Sequence, residues 1–253
     1  MNETQTEDRP QPPTVTSRRR TRPRAAIIAA LVIAVAIPFG AFWAWAFSHR
    51  SFSIPSGAMI PTLQIGDYIL VSKLAYGLTR HTYPFSFALG DTRYFDVPPQ
   101  RGDVVVFEVP SKDNSTWVKR VIGLPGDKIQ MKQGRLFING DMVERRRIAD
   151  FTTRDLWGKA RPVPTYEETL PGGTPHVIIE IEDDTAPYDN TAVFDVPPDH
   201  YFVIGDNRDN STDSRVPLDQ GGIGMIARGD FIGRVESVMF SSTNSDRLFV
   251  PVR

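Results

Sequence analysis

The chain has 253 residues, 40% hydrophobic and 23% charged, with 21 prolines, 19 glycines, no cysteine and a formal net charge of −1. This composition excludes fibrous, collagen-like and wholly disordered classes. The missing cysteines exclude disulfides and a thiol nucleophile, and the charge balance is unlike that of a nucleic-acid binder.

Residues 1–24 are polar, rich in arginine, and carry Pro10, Pro12, Pro13 and Pro23; they read as a disordered basic tail. From Ala25 to Phe47 follow 23 residues without a charge, close to the roughly 20 that a helix needs to cross about 30 Å of hydrocarbon. This predicts a transmembrane helix over 25–47. A cleavable signal peptide ending at Ala44-Trp45-Ala46 would have a shorter apolar stretch, and Trp43 and Trp45 suit an interfacial aromatic belt. A retained span is therefore expected over that reading and over a buried core helix. Five arginines between Arg18 and Arg24 precede the run and only His49 and Arg50 directly follow it. The positive-inside rule then leaves the tail in the cytoplasm and exports residues 48–253, which carry 23 basic and 27 acidic residues.

Beyond Arg50 the apolar runs are short, rich in Val, Ile, Phe and Tyr, and bounded by Gly-Asp, Pro-Gly or Asn-Gly pairs, the pattern of strands joined by tight turns. Strands are expected at 68–72, 103–109, 116–123, 128–131, 135–138, 176–182, 201–205 and 233–240, giving a mainly β domain. Two stretches, 77–100 and 149–199, read as insertions on this sheet core, the second with one hairpin. The run Glu144 to Arg147 reads as a solvated strand or loop with no function.

Several constellations are missing: no H-E-x-x-H, no Walker loop and no Gly-rich dinucleotide turn. His49, His81, His176 and His200 lack partner spacing and are read as surface or structural, although a Ser-His-Asp triad assembles in space and stays open from sequence. The loop Asp206 to Asp213 resembles a calcium loop only superficially, with Ser211 at the turn-glycine position and Pro217 where a bidentate Glu belongs. From residue chemistry it is a turn held by Asx hydrogen bonds, with Arg208 or Arg215 paired to a neighbouring aspartate.

Four segments change that reading. They are Ile54-Pro55-Ser56-Gly57-Ala58-Met59-Ile60-Pro61-Thr62-Leu63 followed by Gly66-Asp67; Arg101 to Phe107 (RGDVVVF); Lys119 to Asp127 (KRVIGLPGD); and Gly205 to Arg215 (GDNRDNSTDSR). In order and spacing, and with the preceding span, they resemble the type I signal peptidases, membrane-anchored Ser/Lys proteases that remove signal peptides. The resemblance covers about Ala25 to Phe240, loosely at the insertions. It implies a signal-peptidase-like β-barrel or sandwich core with an inserted cap region.

The resemblance also implies roles. Lys119 matches the general base; a lysine, with a reference pKa near 10.4, serves at neutral pH only if burial lowers that value, and Lys119 lies between Val118 and Val121. Ser211 resembles the residue that orients the lysine, and Asp213 and Arg215 the ion pair that holds the loop. Ser56 resembles the hydroxyl of the oxyanion hole, which it shares with the backbone N–H of residue 58. A substrate strand is expected beside Ile54 and Pro55 on one side and Trp117 and Val118 on the other, recognised by β-pairing and shallow pockets for small residues. No metal or cofactor is implied; the partners are secretory preproteins and the lipid bilayer, not nucleic acid. The location is the plasma (inner) membrane, with the catalytic domain on the outer side.

The sequence departs from the family at one position. Where the nucleophilic serine stands, two residues after the oxyanion serine and before Met, this chain has Ala58. Alanine has no Oγ, and losing a nucleophile costs on the order of 10⁶ in turnover. Three readings stay open: a Ser-to-Ala form of an active peptidase, a silent signal-peptide-binding protein, or takeover by Ser56. Ser56 shares a sheet face with residue 58 if the segment is extended, but sits roughly 6.6 Å away along the strand.

Overall fold

A computed structural model describes residues 23–82, 93–154, 160–173, 175–182 and 185–252. The chain divides into two units, Met1–Ala44 and Trp45–Arg253. The first contains most of a helix, Pro23–Ser48, whose apolar segment Ala26–Ser48 is long and apolar enough to cross a membrane and has none of its residues buried. The helix begins before and ends just beyond the predicted 25–47. The predicted tail, up to residue 22, lies outside the described residues.

The second unit is built on one antiparallel sheet. Its order runs from β1 (His49–Ser53) through β2 (Asp67–Ser72), strand Phe231–Ser241, β3 (Val104–Val109), β4 (Ser115–Gly123) and strand His200–Ile204 to Ile226–Ala227, with Val250–Pro251 added to Phe231–Ser241. The two-residue period of a strand decides what each side buries. In β3, Val104 and Val106 join Ile54, Met59, Leu63 and Val71 in one cluster, while Val105 and Phe107 join Tyr76, Tyr201, Val203 and Phe231 in another. A strand buried on both faces reads as the unbroken run VVVF. Gly233 sits where the middle strand slips register against β3, and a Cβ there would lie 2.3 Å from the Ser72 carbonyl oxygen, so no side chain fits.

All eight expected strands are present, within a few residues at their ends. The expectation left out β1 and the remaining strands of the inserted sheets, of which Lys128–Lys132, Arg135–Ile138 and His176–Ile179 were expected. Phe194–Asp195, Lys128–Lys132, Arg135–Ile138 and Asp141–Met142 form one small sheet over the cluster around Ile122, Met131 and Phe202. His176–Ile179, Thr165–Thr169 and Glu144–Arg147 form another, and Phe151–Arg154 pairs with Ala160–Val163 as the expected hairpin. Part of the expected 77–100 insertion lies outside the described residues.

In the Glu144–Arg147 run the expected solvation fails at one residue, Arg145. The run is a sheet strand, and Arg145 is buried against Glu180 at 2.7 Å with its guanidinium 4.3 Å from the Tyr166 ring centroid. Only Arg146, beside Glu167, and Arg147, beside Asp150, behave as solvated arginines.

Candidate active site

A cleft of about 860 Å³ opens between two stretches of free backbone edge. On one wall, β1 is the edge strand of the sheet, and the chain runs on through Ile54 and Pro55 with Ile54 tied only inward, to Gly66 and Asp67. On the other, β4 pairs with β3 from Ser115 to Arg120 and with strand His200–Ile204 only from Arg120 to Gly123, so Ser115 to Lys119 keep one edge unpaired among the described residues. Ile54, Pro55, Trp117 and Val118 all line this cleft, together with Ser56, Ala58, Lys119 and Ser211. The structure thus gathers the expected site residues around one cavity, with Asp213 and Arg215 behind it.

Lys119 is 3% exposed and makes no hydrogen bond or ion pair among the described residues; its ammonium lies 5.5 Å from the Trp117 ring centroid, the neighbour two residues back on the same strand face. Burial pushes its pKa down from 10.5 to about 8; Asp213 and Asp206 pull it back up and Arg215 pushes it further down. An uncharged amine is therefore within reach near neutral pH.

The 205–215 loop forms the rest of the floor. Asp213 is fully buried and binds Arg215 through two oxygens, at 2.9 Å each, while Arg215 also donates to the Arg208 carbonyl at 2.6 Å. Asp213 accepts the Gly205 N–H at 3.1 Å. That pair holds the loop's two ends together, and Arg215 with its hydrogen bonds keeps the Asp213 pKa below its ordinary value despite burial. Of the two candidates for a neighbouring aspartate, Arg208 and Arg215, it is Arg215 that takes one, Asp213. Arg208 pairs instead with Glu168, a residue of the inserted sheet.

Gly205 explains how closely the loop approaches residue 58. A Cβ on Gly205 would fall 2.3 Å from the Ser211 Oγ and 2.5 Å from the Ala58 carbonyl oxygen, so the two flank a glycine that nothing larger can replace. The Ser211 Oγ is buried and unpartnered among the described residues. Ser56 is exposed and lines the cleft, without a side-chain hydrogen bond among the described residues. The extended geometry supposed for Ser56 and residue 58 is absent: β1 ends at Ser53, and Gly57 to Ile60 form a turn closed by Ile60 N–H to the Gly57 carbonyl at 3.2 Å.

Sequence reasoning missed several residues of this region. Arg120 donates to both oxygens of Asp206 at 2.8 Å, with Thr62 Oγ1 on the same carboxylate at 2.5 Å. Asn207 contacts the backbone of residues 57 and 58. The hint was available: Arg120 follows Lys119 on an apolar strand, where a guanidinium, unlike an amine, cannot shed its charge and so calls for a partner. The histidines are largely structural, His49 near Glu236 at 3.2 Å, His81 near Glu108 at 3.6 Å and His176 near Glu168 at 3.4 Å.

The family model for signal peptidase, peptidase S26, matches residues 24–240. The chain belongs to that family. Among similar proteins, a signal peptidase I of Pseudomonas aeruginosa is 37% identical over 203 residues, covering 77% of this chain and 66% of its own length, just under two thirds. One of Rickettsia canadensis is 36% identical over 200 residues, covering 76% of this chain and 71% of its own. A signal peptidase I structure from Enterococcus faecalis V583 aligns with 55% of this chain and 97% of its own at 22% identity and a TM-score of 0.31; the assignment rests on the sequence matches. A membrane anchor fits the family and the helix Pro23–Ser48.

Proposed function

We propose that the chain has the architecture of a signal peptidase I, which cleaves signal peptides from secretory preproteins after small residues at the membrane surface. The observation that carries this is Lys119, buried and unpaired on the floor of a cleft that also holds residue 58 and Ser211. With serine at 58, Lys119 takes the proton from Oγ as that oxygen bonds to the scissile carbonyl carbon. The oxyanion is held by the N–H of residue 58 and the Ser56 hydroxyl. Collapse breaks the C–N bond, the leaving amine takes the proton from Lys119, and water then releases the acyl group by the reverse use of the same base. Ser211 orients the lysine, and the Asp213–Arg215 pair supports Ser211. The substrate extends between the free edges at Ile54 and Pro55 and at Trp117 and Val118.

Ala58 supports a second reading of the same site, a binder that captures signal peptides without cutting them. Both readings use the cleft, and only the missing oxygen separates them. The basic tail supports an orientation with the N-terminus in the cytoplasm, the span over 25–47 in the plasma membrane and 48–253 outside.

Cleavage of a preprotein is measured with the chain as it stands, its Ala58→Ser variant and the Ala58→Ser/Lys119→Ala variant. The expected result is cutting by Ala58→Ser alone, on the order of 10⁶ above the Ala58 chain. Cutting by the Ala58 chain itself sinks the residue-58 assignment and makes Ser56 the residue to test.

A further inference from the structure

Residue 58 lies in a turn whose backbone is gripped from one side by a single residue. The Asn207 side-chain Nδ2 donates to the carbonyl of Gly57 at 3.0 Å, and the Asn207 backbone N–H donates to the carbonyl of Ala58 at 3.1 Å. The carbonyls on both sides of residue 58 are thus held by Asn207, with Ile60 N–H as a second, longer donor to Gly57. A peptide bond is planar and trans, so its C=O and N–H point in opposite directions. Holding the Gly57 carbonyl against Asn207 therefore sends the Ala58 N–H the other way, and that N–H has no acceptor among the described residues. Holding the Ala58 carbonyl as well fixes the backbone on both sides of its Cα, and with it the direction of the side chain.

The amide orientation of Asn207 is forced rather than free. Turning it over would set Oδ1 against the Gly57 carbonyl oxygen, two acceptors facing each other. In the orientation it has, Oδ1 is buried and without a donor among the described residues, in a residue only 3% exposed. A buried acceptor left so is disfavoured, a cost that a purely structural asparagine would avoid.

Asn207 is in turn fixed by its neighbours. Asp206 before it is locked to Arg120 and Thr62, and Arg208 after it to Glu168, all four of the charged groups being buried. Its own backbone runs beside Ile179 of the inserted sheet, where Asp206 O accepts the Ile179 N–H at 3.0 Å and Arg208 N–H donates to Ile179 O at 3.1 Å. Asp209 adds a carboxylate that accepts the N–H groups of Ile181 and Glu182.

We infer that Asn207 is a positioning residue that sets the Gly57–Ala58 peptide so that the N–H of residue 58 faces the substrate carbonyl, and that the inserted sheet serves the reaction by holding Asn207 in place. The inference deepens the Ser/Lys reading, on which only its kinetic arm rests. Because the donor is backbone, the arrangement is complete in the Ala58 chain and is lost with Asn207, whatever stands at 58.

In the kinetic arm, Ala58→Ser is compared with Ala58→Ser/Asn207→Ala and Ala58→Ser/Asn207→Asp in the full chain. The expected result is a kcat lower by 10²–10³-fold, the scale of one oxyanion donor, with KM within about threefold. A peptide aldehyde, which adds to the serine introduced at position 58 as a tetrahedral oxyanion, loses inhibition by the same factor, while an uncleavable peptide binds as before. A kcat within threefold of Ala58→Ser, or a joint fall of kcat, peptide binding and melting temperature, overturns the inference. The second arm uses the Ala58 chain in detergent and follows the backbone amide resonance of residue 58 by NMR. Asn207→Ala is expected to shift and broaden it; an unchanged resonance overturns the inference. If Ala58→Ser fails to cut at all, the Ser/Lys reading fails and the amide resonance alone decides.

Discussion

The cleft floor and the layer of ion pairs around the 205–215 loop treat buried polar groups in opposite ways. Among the described residues, Lys119 and the Ser211 hydroxyl on the floor, and the Oδ1 of Asn207 next to residue 58, are buried without hydrogen-bond partners. Around the loop, buried charges are matched, Arg120 with Asp206, Arg208 with Glu168 and Arg215 with Asp213. The contrast is sharpest on β4, where Lys119 and Arg120 are consecutive and point to opposite faces. A scaffold holds a charge by satisfying it, whereas a base must be kept partly unsatisfied so that it can give up its proton. The matched layer is what holds the unmatched groups in register.

The largest expected effect comes from breaking the unmatched side. In the Ala58→Ser chain, Lys119→Met removes the base and lowers cleavage by 10²–10⁴-fold. The same change has the opposite sign for stability. The folded pKa of about 8 lies below the ordinary 10.5, so both states are protonated below pH 8 and the cost of burying the charge is fully present there. Between pH 8 and 10.5 the unfolded chain binds more protons than the folded one, and stability rises with pH. Lys119→Met is therefore more stable than its parent at pH 7, by up to about 3 kcal/mol, with the gap closing from pH 8 to 10.5. Denaturant melts at pH 7 and pH 10 measure both; a variant less stable at pH 7 contradicts the unmatched floor. For cleavage by Ala58→Ser, the same pKa predicts a rate that climbs through pH 8.

Next in size is the matched side. Arg120→Met leaves Asp206 buried with only Thr62, and removing one partner of such a pair costs about 3–5 kcal/mol. For a domain of this size that lowers the melting temperature by on the order of 10 °C. Neighbouring residues on one strand are thus expected to move stability in opposite directions, a result that a general loss of packing would not give. Equal destabilisation by both variants would remove the distinction between the two regions.

How far the sequence foretold this arrangement follows the same division. The eight strands were legible because two-residue alternation and turn pairs such as Pro-Gly are local, and the residues gathered around the cleft because four contiguous segments carry them. Of the matched layer only the pair of Arg215 with Asp213, two residues apart in one of those segments, was legible; Glu168 meets Arg208 and Thr62 meets Asp206 only after the chain has folded. Asn207 was hidden for another reason: its work is on backbone carbonyls, and backbone leaves no residue pattern. Strand β1 follows the apolar helix directly and, with the pattern HRSFS, lacks the apolar density that marked the others.

The smallest expected effects separate two residues that look alike in sequence. Arg145 and Arg146 stand side by side in one run of three arginines, yet the strand period turns Arg145 inward to Glu180 and leaves Arg146 outward beside Glu167. The side chains of Arg145 and Glu180 are 6% and 2% exposed, and that of Arg146 is 69% exposed. Arg145→Ala abandons a buried carboxylate and the Tyr166 ring, and is expected to cost roughly 3 kcal/mol. Arg146→Ala breaks a solvent-screened pair worth about 0.2–1 kcal/mol at most, and its melt should superimpose on that of the parent within that margin. Because Glu180 joins the same inserted sheet that backs Asn207, Arg145→Ala in the Ala58→Ser chain also carries a kinetic expectation. Its kcat falls while that of Arg146→Ala does not, and a melt shift without any change in kcat would detach the inserted sheet from the cleft.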